Sequence, residues 1–185
     1  MTTQGTMTRR ILRTFDRATP SDVEAGAVWY RDAGDLARTL GESSGHGTEH
    51  AAAVISHLST RTPWARNVTG AVTLLATGKR APGILRSNYA RAAASLAAAD
   101  PGATFGPKAS KTRRFYANIL GDTEAVTVDV WAARVAGADA PNGRISGRTY
   151  DSVERAYRSA ARRRGVTPAT MQATTWVVAR NGRAS

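Results

Sequence analysis

Few side chains in this sequence can do covalent or acid–base chemistry, and their placement narrows what that chemistry could be. Asp129 follows a short apolar segment, Val126-Thr127-Val128, and precedes a helical stretch from Trp131 to Ala136 that Gly137 stops. That is the position of a helix N-cap, where a carboxylate accepts the first orphan backbone amides. A helix N-terminus favours the charged carboxylate by about 0.3–1 kcal/mol, which keeps it available as a general base. The same placement also describes a purely structural cap. Lys111 stands 18 residues earlier, at the start of a helix expected over Ser110 to Leu120. A lysine amine is a nucleophile when it is deprotonated. Beside Arg113 and Arg114, Lys111 serves equally as a phosphate contact.

Other chemistries lack their residues. With no cysteine among the 185 residues, there is no disulfide, iron–sulfur cluster, thiolate zinc site or thiol nucleophile. His46 and His50 straddle Gly47 and a helix start, and His57 lies apart, so no metal site is expected and no cofactor is called for. Gly78-Lys79-Arg80 lacks both the glycine spacing and the following hydroxyl of a phosphate-binding loop. The net charge of +12 and an isoelectric point near 11.2 imply a polyanionic partner, with DNA first. Heavy alanine and arginine use is also what a GC-rich coding sequence produces. No apolar run nears the roughly 20 residues of a spanning helix, so no membrane is expected. Residues Met1 to Arg10 lack the apolar core of a signal peptide, so a cytoplasmic protein is expected; a monomer is expected as well.

The elements that position these residues read as helices separated by strong punctuation. Residues 1–20 are set apart as an N-terminal arm, and residues 21–185 are read as one helical domain. Ser21-Asp22-Val23-Glu24 has the form of a capping box opening a helix to about Leu40, which the tract from Gly41 to Gly47 ends. Thr48 caps a second helix through Leu58, and Thr62-Pro63 starts a third, closed by Gly78. Further helices are expected over Asn88 to Ala99, Ser110 to Leu120, Trp131 to Ala136, Tyr150 to Arg164 and Thr167 to Arg180. Arg155, Arg158, Arg162, Arg163 and Arg164 gather charge on one of them, either along a DNA backbone or as a solvated face. Gln172 and Trp176 form an i, i+4 pair able to line a base pocket, although such a tryptophan is more often core.

The stretch from Ser110 to Gly121, followed by Val126 to Val135, resembles the helix-hairpin-helix DNA glycosylases of the endonuclease III type. The Lys111-Thr112 pair opens a helix, Gly121 ends it, and an apolar segment delivers Asp129 ahead of Arg134-Val135. The resemblance covers roughly Thr48 to Val135. Arg61-Thr62 falls at the polar turn that inserts side chains into the DNA stack in that family. The layout is also similar to small glycosylase-like proteins of actinobacterial viruses, which would put the protein in a bacterial host's cytoplasm. Gly106-Pro107-Lys108-Ala109 replaces the family's Pro-Gly-x-Gly hairpin, so the hairpin is degenerate and phosphate contact passes to the Lys108 side chain. Trp131 stands where a histidine is usual.

The resemblance implies an all-α, two-lobed glycosylase-like fold acting on double-stranded DNA. Asp129 would stabilise the oxocarbenium-like sugar and deprotonate the nucleophile, and Lys111 would form a Schiff base if a lyase step occurs. Lys108, Arg61, Thr62, Arg113 and Arg114 would contact DNA. Because the base must leave the stack, a pocket is expected from Trp64, Tyr116, Trp131, Gln172 and Trp176. Two alternatives keep the fold: a transferase that modifies activated 5-hydroxymethyluracil or thymine in phage DNA, and a non-catalytic DNA-binding module.

Overall fold

The computed structural model describes residues 2–138 and 140–181; Met1, Asp139 and residues 182–185, at the end of the range expected for the helical domain, lie outside the described residues. The regular structure among them is all helical. The helices are α1 (Gln4–Phe15), α2 (Pro20–Ser44), α3 (Thr48–Leu58), α4 (Trp64–Thr77), α5 (Arg86–Ala97), α6 (Ser110–Ile119), α7 (Val130–Ala136), α8 (Gly147–Arg164) and α9 (Pro168–Arg180). Short 3-10 turns occupy Pro101–Thr104 and Pro141–Gly143. The chain divides into two compact units, residues 1–31 with 121–185, and residues 32–120.

In the first unit, the segment set apart as an N-terminal arm contributes α1. Thr3 caps it by accepting from the Thr6 amide, and Met7, Ile11 and Leu12 recur at the spacing of one helical face. That face is buried with Val126, Val128, Val153, Tyr157 and Met171 in one apolar cluster, and α1 packs on α7, α8 and α9. The α2 start differs from the expected capping box. Asp22 accepts from the Thr19 amide at 2.8 Å and donates its own amide to Thr19 Oγ1 at 3.3 Å. The reciprocal cap is thus Thr19 with Asp22, because Pro20 is pre-set for the first helical position and places Ser21 inside the helix. Gly26 is buried where a Cβ would lie 2.6 Å from the Thr174 backbone, so α2 and α9 touch through a missing side chain.

Val126-Thr127-Val128 belongs to no helix or strand. Its backbone is satisfied from α8 instead: Tyr150 Oη donates to the Val126 carbonyl at 2.8 Å and accepts from the Val128 amide at 3.1 Å. One hydroxyl therefore does the work of a neighbouring strand, delivering Asp129 from a buried segment. Tyr150→Phe leaves two buried backbone groups without that partner, and is expected to lower stability by about 1–3 kcal/mol. The effect would be read as a lower urea midpoint at unchanged slope. An unchanged midpoint would remove Tyr150 from that role.

The second unit is built around α3, in which every residue from Ala51 to Leu58 is buried. Asn67 on α4 donates to the Ile55 carbonyl at 3.0 Å, and Asn88 on α5 donates to the Thr60 carbonyl at 2.7 Å, so two amides tie off the end of α3. Gly41 does not end α2, which continues to Ser44. A Cβ there would lie 2.4 Å from the Gly47 backbone, so Gly41 admits the returning chain rather than stopping the helix. Pro63 takes the N-cap of α4, one residue earlier than the first-turn place expected for it, and Gly78 closes α4 in the left-handed conformation.

Candidate functional site

Asp129 is the N-cap of α7, as its position between an apolar segment and a helix requires. Oδ1 accepts from the amides of Trp131 and Ala132, both at 2.9 Å, and Oδ2 accepts from the indole Nε1 of Trp176 at 3.2 Å. An ionised carboxylate offers about four acceptor positions. Three are taken among the described residues, which leaves one on Oδ2 of a half-buried side chain. Such a group has fixed orientation and a vacant lone pair, the two properties a general base needs.

The surroundings of the carboxylate come from α2, α8 and α9 of the same unit. The Trp176 ring lies 4.9 Å from that of Trp29 at a 40° tilt, and the Arg180 guanidinium sits 4.7 Å from its centroid. Trp176 is thereby held from several sides, and its clearest office is to point its N–H at Asp129. Gln172, one turn earlier, is only 3% exposed and accepts at Oε1 from Tyr30 Oη at 2.5 Å. Burial pushes the Tyr30 phenol well above its usual range against a hydrogen bond with Thr127, and the Asp129 charge adds to the rise. Tyr157 shares a hydrogen bond with Thr175 at 3.1 Å. Its phenol is raised by burial first, and the Asp129 charge again contributes. Asp129 thus acts electrostatically on two buried phenols of its own unit, Tyr30 and Tyr157.

The expected site residues fall in both units. Asp129, Trp131, Gln172 and Trp176 belong to the first. Trp131 is half-buried, with the Arg134 guanidinium 4.9 Å from its ring centroid. Arg61, Thr62, Trp64, Lys108, Lys111, Arg113, Arg114 and Tyr116 belong to the second. Lys111 is half-buried on the first turn of α6, and no side chain caps that helix. Gly106 to Ala109 forms a turn closed by the Ala109 amide on the Gly106 carbonyl at 2.9 Å, with Lys108 exposed. None of its residues has a positive φ, so it lacks the left-handed residues with which nests of amides capture anions.

Arg61 is exposed in the turn between α3 and α4 with φ of 55°, an uncommon state for a non-glycine residue. Asn88 anchors that turn through the Thr60 carbonyl. In the same unit the Trp64 and Phe115 rings meet edge-on at 6.5 Å. Tyr116 lies 5.0 Å from Phe105. Tyr30 and Thr127 were not among the expected site residues. Tyr30 offers no site signal in sequence, since its partner Gln172 lies 142 residues away.

The sequence matches the family described as a family of unknown function, DUF7178, over residues 1–183. No curated protein and no solved structure matches it.

Proposed function

Since the chain belongs to a family of unknown function, DUF7178, we propose from its own residues that it flips a base from duplex DNA and cleaves that base's N-glycosidic bond. The proposal includes a two-lobed helical fold of the DNA glycosylase kind. The observation that carries it is the Asp129 carboxylate, oriented by two α7 amides and the Trp176 indole, with one acceptor position left on Oδ2. As the base leaves with the electron pair of its C–N bond, positive charge develops at the sugar carbon, and a fixed carboxylate stabilises it. The remaining lone pair of Asp129 takes a proton from the attacking water, whose oxygen forms the new bond to carbon. The part-buried Trp176 contact keeps the carboxylate from turning away.

The net charge of +12 supports a phosphate-rich substrate. The left-handed, exposed Arg61 supports a side chain presented for insertion, because strained backbone at an exposed turn clusters at functional positions. Base removal from a duplex requires such a wedge to replace the lost stacking.

The test is incubation with duplexes that carry uracil, oxidised, alkylated or hypermodified bases, followed by alkaline cleavage at abasic sites. Release from at least one duplex is expected. No release from any, with duplex binding intact, overturns the reading. Nucleoside mass spectrometry of the same samples separates base release from base modification. Borohydride added during the reaction traps a Schiff base if one forms, and loss of the adduct in Lys111→Ala would assign the amine.

A further inference from the structure

The arginine run of α8 is not used by the chemistry at Asp129, and its neighbour in the same unit is the equally basic α1. Asp16, the C-cap of α1, accepts from Arg164 Nε at 2.8 Å and Nη2 at 2.6 Å. This bidentate pair fixes the end of α8 beside the end of α1, and the guanidinium holds the Asp16 carboxyl below its usual range. Arg13 stands in the last turn of α1 and Arg17 follows its Asp16 cap, and Arg162 and Arg163 precede Arg164 on α8; all are exposed. Arg13, Arg162 and Arg163 make no ion pair among the described residues.

Five arginines therefore lie in the last turns of two packed helices or just past a cap, one of them paired with Asp16. Helix C-termini attract cations, which gives these residues a structural reason to be basic. Each terminus carries only about half an elementary negative charge, however. Arg17 has interactions of its own; of the other four arginines the two termini and Asp16 balance roughly two, and about two positive charges remain without a counter-charge. Among the described residues the exposed large hydrophobics are Val72, Leu85 and Leu120, all in the other unit. A charged patch without apolar side chains to insert fits a stiff polyanion better than a lipid surface.

We infer that the joined ends of α1 and α8 form a docking surface for the phosphate backbone of duplex DNA. This inference rests on the reading that the protein acts on DNA. It gives the phosphate-gripping role to arginine side chains in the unit that holds Asp129. The Arg164 pair with Asp16 is the clamp that orients the surface, and Arg13, Arg162 and Arg163 make the contacts.

The test compares the wild type with the triple variant Arg13→Gln/Arg162→Gln/Arg163→Gln, which leaves the Asp16–Arg164 pair in place. The salt dependence of binding to a short unmodified duplex is measured for both, and circular dichroism melting confirms that the exposed substitutions leave the fold intact. Three lost phosphate contacts should reduce the slope of log K against log salt by about 2.7. An unchanged slope overturns the inference. Retained DNA affinity, with loss only of binding to phosphatidylserine vesicles, would overturn it too, by assigning the surface to membranes. Base release at saturating protein separates this inference from the proposed function. A reduced slope without release from any duplex keeps the surface and removes the glycosylase reading, whereas release with an unchanged slope does the reverse.

Discussion

Asp129→Asn is expected to slow base release at saturating enzyme roughly 10³-fold, within the range for loss of a positioned acid–base group, with duplex binding retained. Asparagine is as good an N-cap as aspartate, so its side-chain oxygen can still accept from the Trp131 and Ala132 amides. Its NH2 group must then face the Trp176 indole N–H where Oδ2 now accepts, donor against donor. That conflict costs on the order of 1 kcal/mol, a modest drop in melting temperature rather than unfolding. In Asp129→Asn/Trp176→Phe the conflict disappears, and stability should partly recover while activity stays lost. The double-mutant comparison separates the two roles of one side chain. Base release by Asp129→Asn at the wild-type rate would leave Asp129 only a cap.

The contrast between what this carboxylate shows in sequence and in space explains which parts of the chain could be read in advance. Its cap is local: an apolar segment, an acid and a helix start lie within seven residues, and so do the left-handed glycines that close α4, α7 and α8 at Gly78, Gly137 and Gly165. Its second partner is not local, because Trp176 lies 47 residues on, and nothing in the spacing of Gln172 and Trp176 says which ring atom meets an acid. Tyr150 replaces a strand with a single hydroxyl, a solution that periodicity cannot reveal. Gly41 misleads for a related reason. A glycine that admits a neighbouring backbone and one that stops a helix look alike until the neighbour is known. The helix α1 is different, since Met7, Ile11 and Leu12 already carried its signal at helical spacing. There the arginines between them masked a buried face.

Lowering the pH from 6.5 towards 4 is expected to destabilise the protein through His57, by about 3 kcal/mol at the acid end. His57 is 3% exposed and stacks on Phe105 at 4.1 Å between centroids. Thr104 Oγ1 donates to the Pro101 carbonyl at 2.6 Å, so at 2.9 Å it must accept from His57 Nε2. The ring is therefore the neutral Nε2–H tautomer, and acid would add its proton at Nδ1 in buried surroundings. Burial, and then the nearby charge of Arg91, lower its pKa from 6.5 to about 4. Between those values the unfolded chain binds a proton that the folded chain refuses, so the stabilisation is complete above pH 6.5 and is lost as pH falls towards 4. Phenylalanine in its place keeps the stacked ring and gives up the Thr104 hydrogen bond, costing His57→Phe about 1 kcal/mol at neutral pH. Urea midpoints measured across this range should fall steeply for the wild type and less so for His57→Phe, so that the two curves converge and cross. Parallel curves would show that His57 does not control acid stability, and would leave the loss to the carboxylates that titrate lower.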